Sequence, residues 1–220
     1  PVIELLPLLE KDKNIEVIDF NPLGLQYSLR FNVLHKPFDN ARIRQAALYA
    51  LNQKDVLLSA INDPKYFKEC KALFICGTPF ATNKGFEDKL ESNFAKSKEL
   101  LKEAGYDGSP VVILYATDTN TGRLSPIVKA LLERGGFTVD IQPMDWQTLV
   151  ARRSKRDAPA DGGWNAFITS WTTGDLFNPV AAAFLNSSCD TALFGWPCDT
   201  RIEELRDAFA RATSVEEQKK

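Results

Sequence analysis

The sequence predicts an α/β domain in which helices cover a largely parallel sheet. From residue 94 onward, helical and strand patterns alternate as α-β-α-β-α-β-α, which is typical of parallel strands joined by crossover helices. Residues 111–115 are continuously apolar, as in a strand that is buried on both faces. The composition, with 44% hydrophobic and 25% charged residues, fits a globular domain large enough to bury a core.

The N-terminal part predicts a short helix followed by a β-hairpin. Residues 3–9 have a helical pattern. Residues 15–20 are rich in β-branched side chains, and the odd positions of residues 25–31 are apolar, so both segments are predicted strands. Residues 21–24 have the composition of a turn, and we therefore expect the two strands to pair.

A pair of helices and a long irregular segment follow the predicted hairpin. Asp39 or Asn40 is placed to cap a helix that begins at Ala41, and helical spacing resumes after a break near Asn52. Residues 62–89 are rich in Pro, Gly, Asn, Thr and Cys. A long irregular segment in a compact domain is usually functional or tied down, and a disulfide could tie this one down.

The alternating part begins where Asn93 can cap a helix that Gly105 ends. A polar loop at residues 117–121 follows the apolar strand, and Gly135 and Gly136 stop the next helix. The remaining predicted elements are a helix around residues 127–132, strands over 137–141 and 166–169, and helices over 146–150, 179–185 and 202–212.

The four cysteines form two close pairs, Cys70 with Cys76 and Cys189 with Cys198. Neither pair has the two-residue spacing of a zinc knuckle or a redox motif. Two short disulfide-closed loops are the prediction, and they would place the protein in an oxidising compartment. Four unrelated free thiols are the alternative.

Charge and residue types argue against several classes of function. With 27 basic and 29 acidic residues the net charge is −2, so we expect no nucleic-acid partner, and the basic run at 152–156 is interpreted as a solvated helix end. No apolar stretch approaches about 18 residues, so no membrane span is predicted. His35 is the single histidine, and we expect a surface or turn position for it, with no metal and no cofactor. No nucleophile elbow or phosphate-binding glycine motif occurs, so no catalytic residue is predicted.

Four collinear segments carry a resemblance to a known family. The most specific comprises Phe31 and Asn32 with residues 37–50, and the others are residues 94–108, 171–179 and 195–205. In these segments the sequence resembles the extracellular solute-binding proteins of ABC importers, family 5, the dipeptide-, oligopeptide- and nickel-binding class. The resemblance extends from about residue 24 to the end of the chain.

The resemblance implies a fold, a function and a cellular location. It implies a lobe of the type II periplasmic-binding-protein kind, with a mixed sheet flanked by helices. Residues 1–220 are then a single lobe, the second lobe of a longer two-lobed protein, which agrees with a chain that starts at Pro1. We expect a periplasmic or otherwise extracellular monomer. It would capture a peptide-like solute between two lobes and dock on a membrane permease, and it would not be an enzyme.

Several alternative functions stay open. The same fold could bind nickel or another metal chelate, an opine or an oligosaccharide. The binding protein could also act as a sensor domain that reports ligand occupancy to a receptor. An α/β hydrolytic enzyme is a more distant alternative.

The resemblance also implies ligand-binding residues. In the peptide-binding branch, the Asp four positions before a Pro pairs with the α-ammonium group of the peptide, and Asp175 stands four before Pro179, although one residue more than usual separates it from Trp171. The alternative is that Asp175 only caps a helix. Trp171 is interpreted as a pocket wall or a core residue.

The loop after the apolar strand is the second predicted ligand-binding segment. The carboxyl ends of strands are where open α/β sheets receive ligands. We therefore expect contacts from Thr117, Asp118, Thr119 and Asn120, and the resemblance suggests Arg123 for a ligand carboxylate. Structural roles are expected for the other aromatic and basic candidates, Trp146, Trp164, Trp196, Arg42 and Arg44.

Overall fold

The computed structural model describes residues 3–19 and 21–219. Within them, four strands form one mixed sheet in the order β1-β4-β2-β3. Strand β2 runs parallel to β3 and to β4, whereas β1 runs antiparallel to β4. The predicted α/β class with a mixed, helix-flanked sheet is therefore confirmed. The strands are β1 Leu25–Phe31, β2 Val111–Ala116, β3 Val139–Met144 and β4 Ala166–Thr172.

Helices alternate with the strands as predicted from residue 94 onward. In the described ranges, no helix is long and apolar enough to cross a membrane. Short 3₁₀ turns supplement the α-helices, and the one at Asn120–Leu124 directly follows the loop after β2. The α-helices are α1 Leu6–Leu9, α2 Ala41–Ala50, α3 Gln53–Ile61, α4 Phe94–Glu103, α5 Ser125–Arg134, α6 Trp146–Arg153, α7 Thr200–Arg211 and α8 Val215–Gln218.

The apolar run of β2 is explained by a hydrophobic core on each face of the sheet. Successive strand side chains point to opposite faces. Val111 and Ile113 pack in the core that α2, α4 and α5 cover, whereas Val112 and Leu114 pack in a second core with Leu149 of α6. The prediction that this strand is buried on both faces is confirmed.

The predicted cap of the first helix of the pair is present, and Asn40 supplies it. The Asn40 side chain accepts a hydrogen bond from the Arg42 amide at 2.9 Å, which starts α2. Arg42 forms an ion pair with Glu103 at 2.8 Å, and Arg44 donates to the Phe38 carbonyl, so both arginines have the structural contacts expected of them. Residues 62–89 are irregular apart from one 3₁₀ turn, as predicted.

Both predicted disulfides are formed, Cys70–Cys76 and Cys189–Cys198. The first ties down the irregular segment, which Gln53 also holds: its Nε2 donates to the Cys70 carbonyl at 2.9 Å, and its Oε1 accepts from the Cys70 amide at 2.8 Å. The second disulfide closes the segment that precedes α7.

The prediction of an N-terminal β-hairpin is wrong. Residues 15–19 form no strand, and Phe20 lies outside the described residues. Strand β1 instead pairs with β4, from Leu25 opposite Thr172 to Phe31 opposite Ala166. Three β-branched side chains of residues 15–19, Ile15, Val17 and Ile18, are exposed. Such residues favour an extended backbone, but a strand forms only where a neighbouring strand and a surface to pack on are also present.

The helix predicted over residues 179–185 is reduced to a 3₁₀ turn at Ala183–Leu185. Asn178 lies just before it, and its side-chain oxygen accepts hydrogen bonds from the amides of Val180 and Ala181, both at 2.9 Å. These bonds cap a single turn, which the hydrogen bond from the Ala182 amide to the Asn178 carbonyl closes at 3.0 Å and which does not continue as an α-helix.

Candidate functional site

The sheet has a topological switch point between β2 and β4. The chain leaves β2 through α5 to reach β3 on one side, and it leaves β3 through α6 to reach β4 on the other side. Ligands of open α/β sheets bind in the crevice outside the carboxyl ends of strands at such a point. The pairing of β2 with β4 extends only from Ile113–Ala166 to Leu114–Phe167, so the two strands separate toward their carboxyl ends.

A cavity of about 240 Å³ lies at this crevice. Its walls combine aromatic and aliphatic surface with hydroxyl and amide groups, and no charged side chain of the described residues lines it. Burial raises the pKa of Tyr27, so its phenol is protonated at neutral pH. The lining residues are Leu25, Tyr27, Thr119, Asn120, Thr121, Trp146, Thr169 and Ser170.

Beside the cavity, β4 extends beyond its partner β2. Residues 168–172 pair with β1 on one edge, whereas no described strand pairs with them on the β2 side. The 3₁₀ turn Asn120–Leu124 contacts both β2 and β4 near this point. A cavity bordered by a strand edge offers main-chain donors and acceptors in addition to side chains.

The predicted loop after β2 has two parts that make different contacts. The Thr117 amide donates to the Met144 carbonyl at 2.9 Å, and Asp118 Oδ1 accepts from the Trp146 amide at 2.9 Å. These two residues join the loop to the end of β3 and the start of α6, and they do not line the cavity. Thr119, which caps the 3₁₀ turn, and Asn120 do line it.

Trp171 lies near the end of β4 and Asp175 in the turn that follows it, and neither lines the cavity. Asp175 is exposed, and its Oδ2 accepts hydrogen bonds from the Thr172 amide at 2.9 Å and from the Thr172 hydroxyl at 2.8 Å. The carboxylate is thus held by the turn that follows the strand. The Trp171 ring packs on Phe184, with 5.3 Å between the ring centroids.

Arg123 does not line the cavity. It lies in the 3₁₀ turn after β2, and its guanidinium forms an ion pair with Glu4 at 2.5 Å. Both side chains are about half exposed. An exposed pair of this kind contributes little to stability, and a ligand carboxylate could compete for it.

Sequence reasoning missed most of the cavity wall. It assigned Trp146 a structural role and did not consider Leu25, Tyr27, Thr169 or Ser170. One sequence feature could have predicted the position of Trp146. It is the first residue of the helix that follows β3, and it therefore lies at the carboxyl edge of the sheet. The contribution of β1 depends on its pairing with β4, which the sequence pattern did not reveal.

A larger concavity of about 520 Å³ lies between the end of α6 and the segment before α7. Its described lining includes no strand residue. Its two arginines are paired with carboxylates, Arg156 with Asp190 at 2.6 Å and Arg206 with Glu203 at 2.7 Å. No residue at the carboxyl ends of β2 or β4 lines this concavity, and its arginines are already paired, so the smaller crevice at the switch point is the candidate ligand site.

The helix-flanked mixed sheet has the fold of the type II periplasmic binding proteins. The putative peptide binding protein AppA from Clostridium difficile shares this fold, with a TM-score of 0.82 and 16% identity over 100% of this chain and 44% of that one. Residues 2–192 match the bacterial extracellular solute-binding proteins, family 5 middle region, and the chain belongs to this family. The resemblance to this family is confirmed.

The names of other similar proteins refer to peptide transport or to a bound peptide. The chain is 37% identical to the probable peptide ABC transporter periplasmic-binding protein y4tO of Sinorhizobium fredii (strain NBRC 101917 / NGR234), over 100% of this chain and 42% of that protein. DppA from Helicobacter pylori, solved in complex with the peptide STSA, has a TM-score of 0.73 and 21% identity, and covers 100% of this chain and 42% of that one. The chain therefore spans about two fifths of the length of these proteins.

Proposed function

We propose that this chain is one lobe of the solute-binding component of an ABC importer, and that it binds a peptide-like ligand at the crevice between β2 and β4. The observation that carries the proposal is the cavity at the switch point, bordered by an unpaired edge of β4. The names of the similar proteins support the peptide class. In this proposal residues 1–220 are a single lobe, and a second lobe closes over the ligand by a hinge motion.

The strand edge suggests how the ligand main chain is held. An extended peptide can add to the open edge at residues 169–171 and exchange main-chain hydrogen bonds, a common mode of peptide recognition. In this proposal the carboxylate of Asp175, which Thr172 holds just beyond this edge, receives the ligand ammonium group. A charge-assisted hydrogen bond of this kind is stronger than a neutral one. Trp171 would form the adjacent wall.

The loop after β2 would supply the side-chain contacts. Thr119 and Asn120 contact the ligand directly, whereas Thr117 and Asp118 keep the loop in place through β3 and α6. Arg123 would bind a ligand carboxylate only by exchanging its partner Glu4 for the ligand. We propose further that the protein is a periplasmic monomer that docks on its membrane permease after closure.

A sugar or sugar-derived ligand is the second candidate. Hydroxyl and amide groups beside Tyr27 and Trp146 would suit ligand hydroxyl groups as well as peptide side chains. An opine or a nickel chelate would use the same fold. Among the described residues, no cluster of three or more His, Cys, Asp or Glu side chains could hold a bare metal ion.

A thermal-shift screen of the intact protein that contains this chain separates these ligands. Di-, tri- and oligopeptides, oligosaccharides, an opine and a nickel–histidine complex are compared at equal concentration. A ligand that binds only the folded state raises the melting temperature. We expect a rise with peptides. A rise with a sugar, opine or metal chelate, and none with any peptide, would overturn the peptide assignment.

A further inference from the structure

Trp146 connects the crevice to a positive charge. Its indole ring lines the cavity at the start of α6, and Arg153 lies seven residues further along, on the same side of the helix. The guanidinium carbon Cζ of Arg153 is 5.2 Å from the centroid of the Trp146 ring, within cation–π range. Arg153 does not line the cavity, whereas the indole ring that it contacts does.

The charge of Arg153 is not neutralised by a carboxylate within the described part of the chain. The guanidinium also lies 4.8 Å from the Phe194 ring centroid and 5.6 Å from that of Phe167. Its Nε is buried and has no hydrogen-bond partner among the described residues. Burial lowers the pKa of Arg153, but an arginine stays protonated at neutral pH. Aromatic rings thus hold a permanent cation behind Trp146.

The negative groups near Trp146 are held by hydrogen bonds at the start of α6. Asp118 Oδ1 accepts from the Trp146 amide at 2.9 Å, and Asp145 accepts from the Thr148 amide at 3.0 Å and from its hydroxyl at 2.6 Å. The hydrogen bonds to Thr148 lower the pKa of Asp145. Both carboxylates face the amino terminus of α6, whose backbone amides carry partial positive charge.

We infer that the Trp146 side of the crevice selects uncharged ligand groups and rejects cationic ones. A neutral group can stack on the indole and bond to the hydroxyl and amide groups of Thr119 and Asn120. An ammonium or guanidinium group would lose hydration in a cavity without a carboxylate and would meet a ring that already carries Arg153. This inference rests on the proposed function and specifies the ligand chemistry of its site.

The test compares glutamine with lysine in the ligand. Trialanine is substituted at each position in turn, and the affinity of every peptide for the intact protein is measured by titration calorimetry. We expect one position at which lysine binds at least about tenfold more weakly than glutamine, corresponding to about 1.4 kcal/mol. Arg153→Gln should reduce that ratio to about threefold or less, and Arg153→Met, which keeps the apolar stem, should do the same. Lys155→Gln removes the same charge from an exposed position near the end of α6 and should leave the ratio unchanged.

Two results would overturn the inference while leaving the proposed function intact. One is equal affinity for lysine and glutamine at every position. The other is a lysine penalty that persists in both Arg153 variants, when their melting curves show that they are folded. If none of the peptides binds the parent protein, the proposed function fails and this inference fails with it.

Discussion

Single residues shape the crevice through close contacts and fixed hydrogen bonds. Gly122 lies so close to β2 that a β-carbon there would be 1.7 Å from the Ala116 carbonyl oxygen. Arg30 of β1 is partly buried and donates to the carbonyls of Phe194 at 2.7 Å and Phe184 at 2.8 Å, and desolvation lowers its pKa to about 10. Arg30 thereby fixes the backbone of the residue on which Trp171 packs.

Replacing Asp175 by asparagine tests the ammonium contact. The side-chain amide in the Asp175→Asn variant can still accept hydrogen bonds from Thr172, but it has no charge to offer a ligand. We expect peptide affinity of the intact protein to fall by about tenfold or more, about 1.4 kcal/mol, as measured by calorimetry. Asp190→Asn, at an exposed ion pair outside the crevice, is the control. Unchanged affinity in Asp175→Asn would remove this residue from the site.

Replacing Gly122 by alanine tests the close packing of the 3₁₀ turn on β2. The added methyl group cannot be accommodated without moving the backbone of the turn or of the strand. We expect a loss of about 1–3 kcal/mol in the free energy of unfolding, measured by urea denaturation. Gly174→Ala is a matched control, because its β-carbon would meet its nearest neighbour, Thr172 Oγ1, at an ordinary 3.7 Å. Equal stability of Gly122→Ala and the parent would show that the turn is not packed as described.

At the level of elements, local sequence signals predicted what local forces determine. The caps at Asn40 and Asn93, the glycine stops and the buried strand β2 follow from hydrogen bonding and periodicity within a few residues. The prediction of an N-terminal hairpin was wrong because β1 pairs with β4, about 140 residues away along the chain. No local sequence pattern indicates which strand will pair with β1. The sequence pattern correctly predicted that the loop after β2 lies at the carboxyl edge of the sheet. It could not place Tyr27 or Ser170 there, because their position depends on the β1–β4 register.

The two disulfides stabilise segments with little regular structure. Each closes a short loop, and a loop of this size restricts the unfolded chain enough to contribute roughly 2–3 kcal/mol. We expect the paired substitution of Cys70 and Cys76 by serine to lower the melting temperature, and the Cys189 and Cys198 pair to do likewise. Thiol titration of the unfolded, unreduced protein should detect no free thiol. Four reactive thiols under those conditions would contradict both pairings.

At the level of the whole molecule, our proposal has this chain supply one side of a binding site. A cavity of about 240 Å³ with an open strand edge is smaller than the pockets that enclose most small ligands, which are roughly 300–1,000 Å³. The similar proteins are more than twice as long as this chain. In our account a second lobe completes the enclosure, and closure over the ligand creates the surface that the permease recognises.

The most direct test asks whether a ligand occupies the crevice between β2 and β4. Asn120 lines it from an exposed position with no side-chain hydrogen bond among the described residues, so Asn120→Trp should fill the cavity without disturbing the fold. Ser154→Trp places the same bulk in the larger concavity at the end of α6. Calorimetric titration of both variants of the intact protein with the best-binding peptide is the measurement. We predict that Asn120→Trp weakens binding by about thirtyfold or more, about 2 kcal/mol, and that Ser154→Trp leaves it unchanged. Unchanged binding in Asn120→Trp, with loss in Ser154→Trp, would contradict the account.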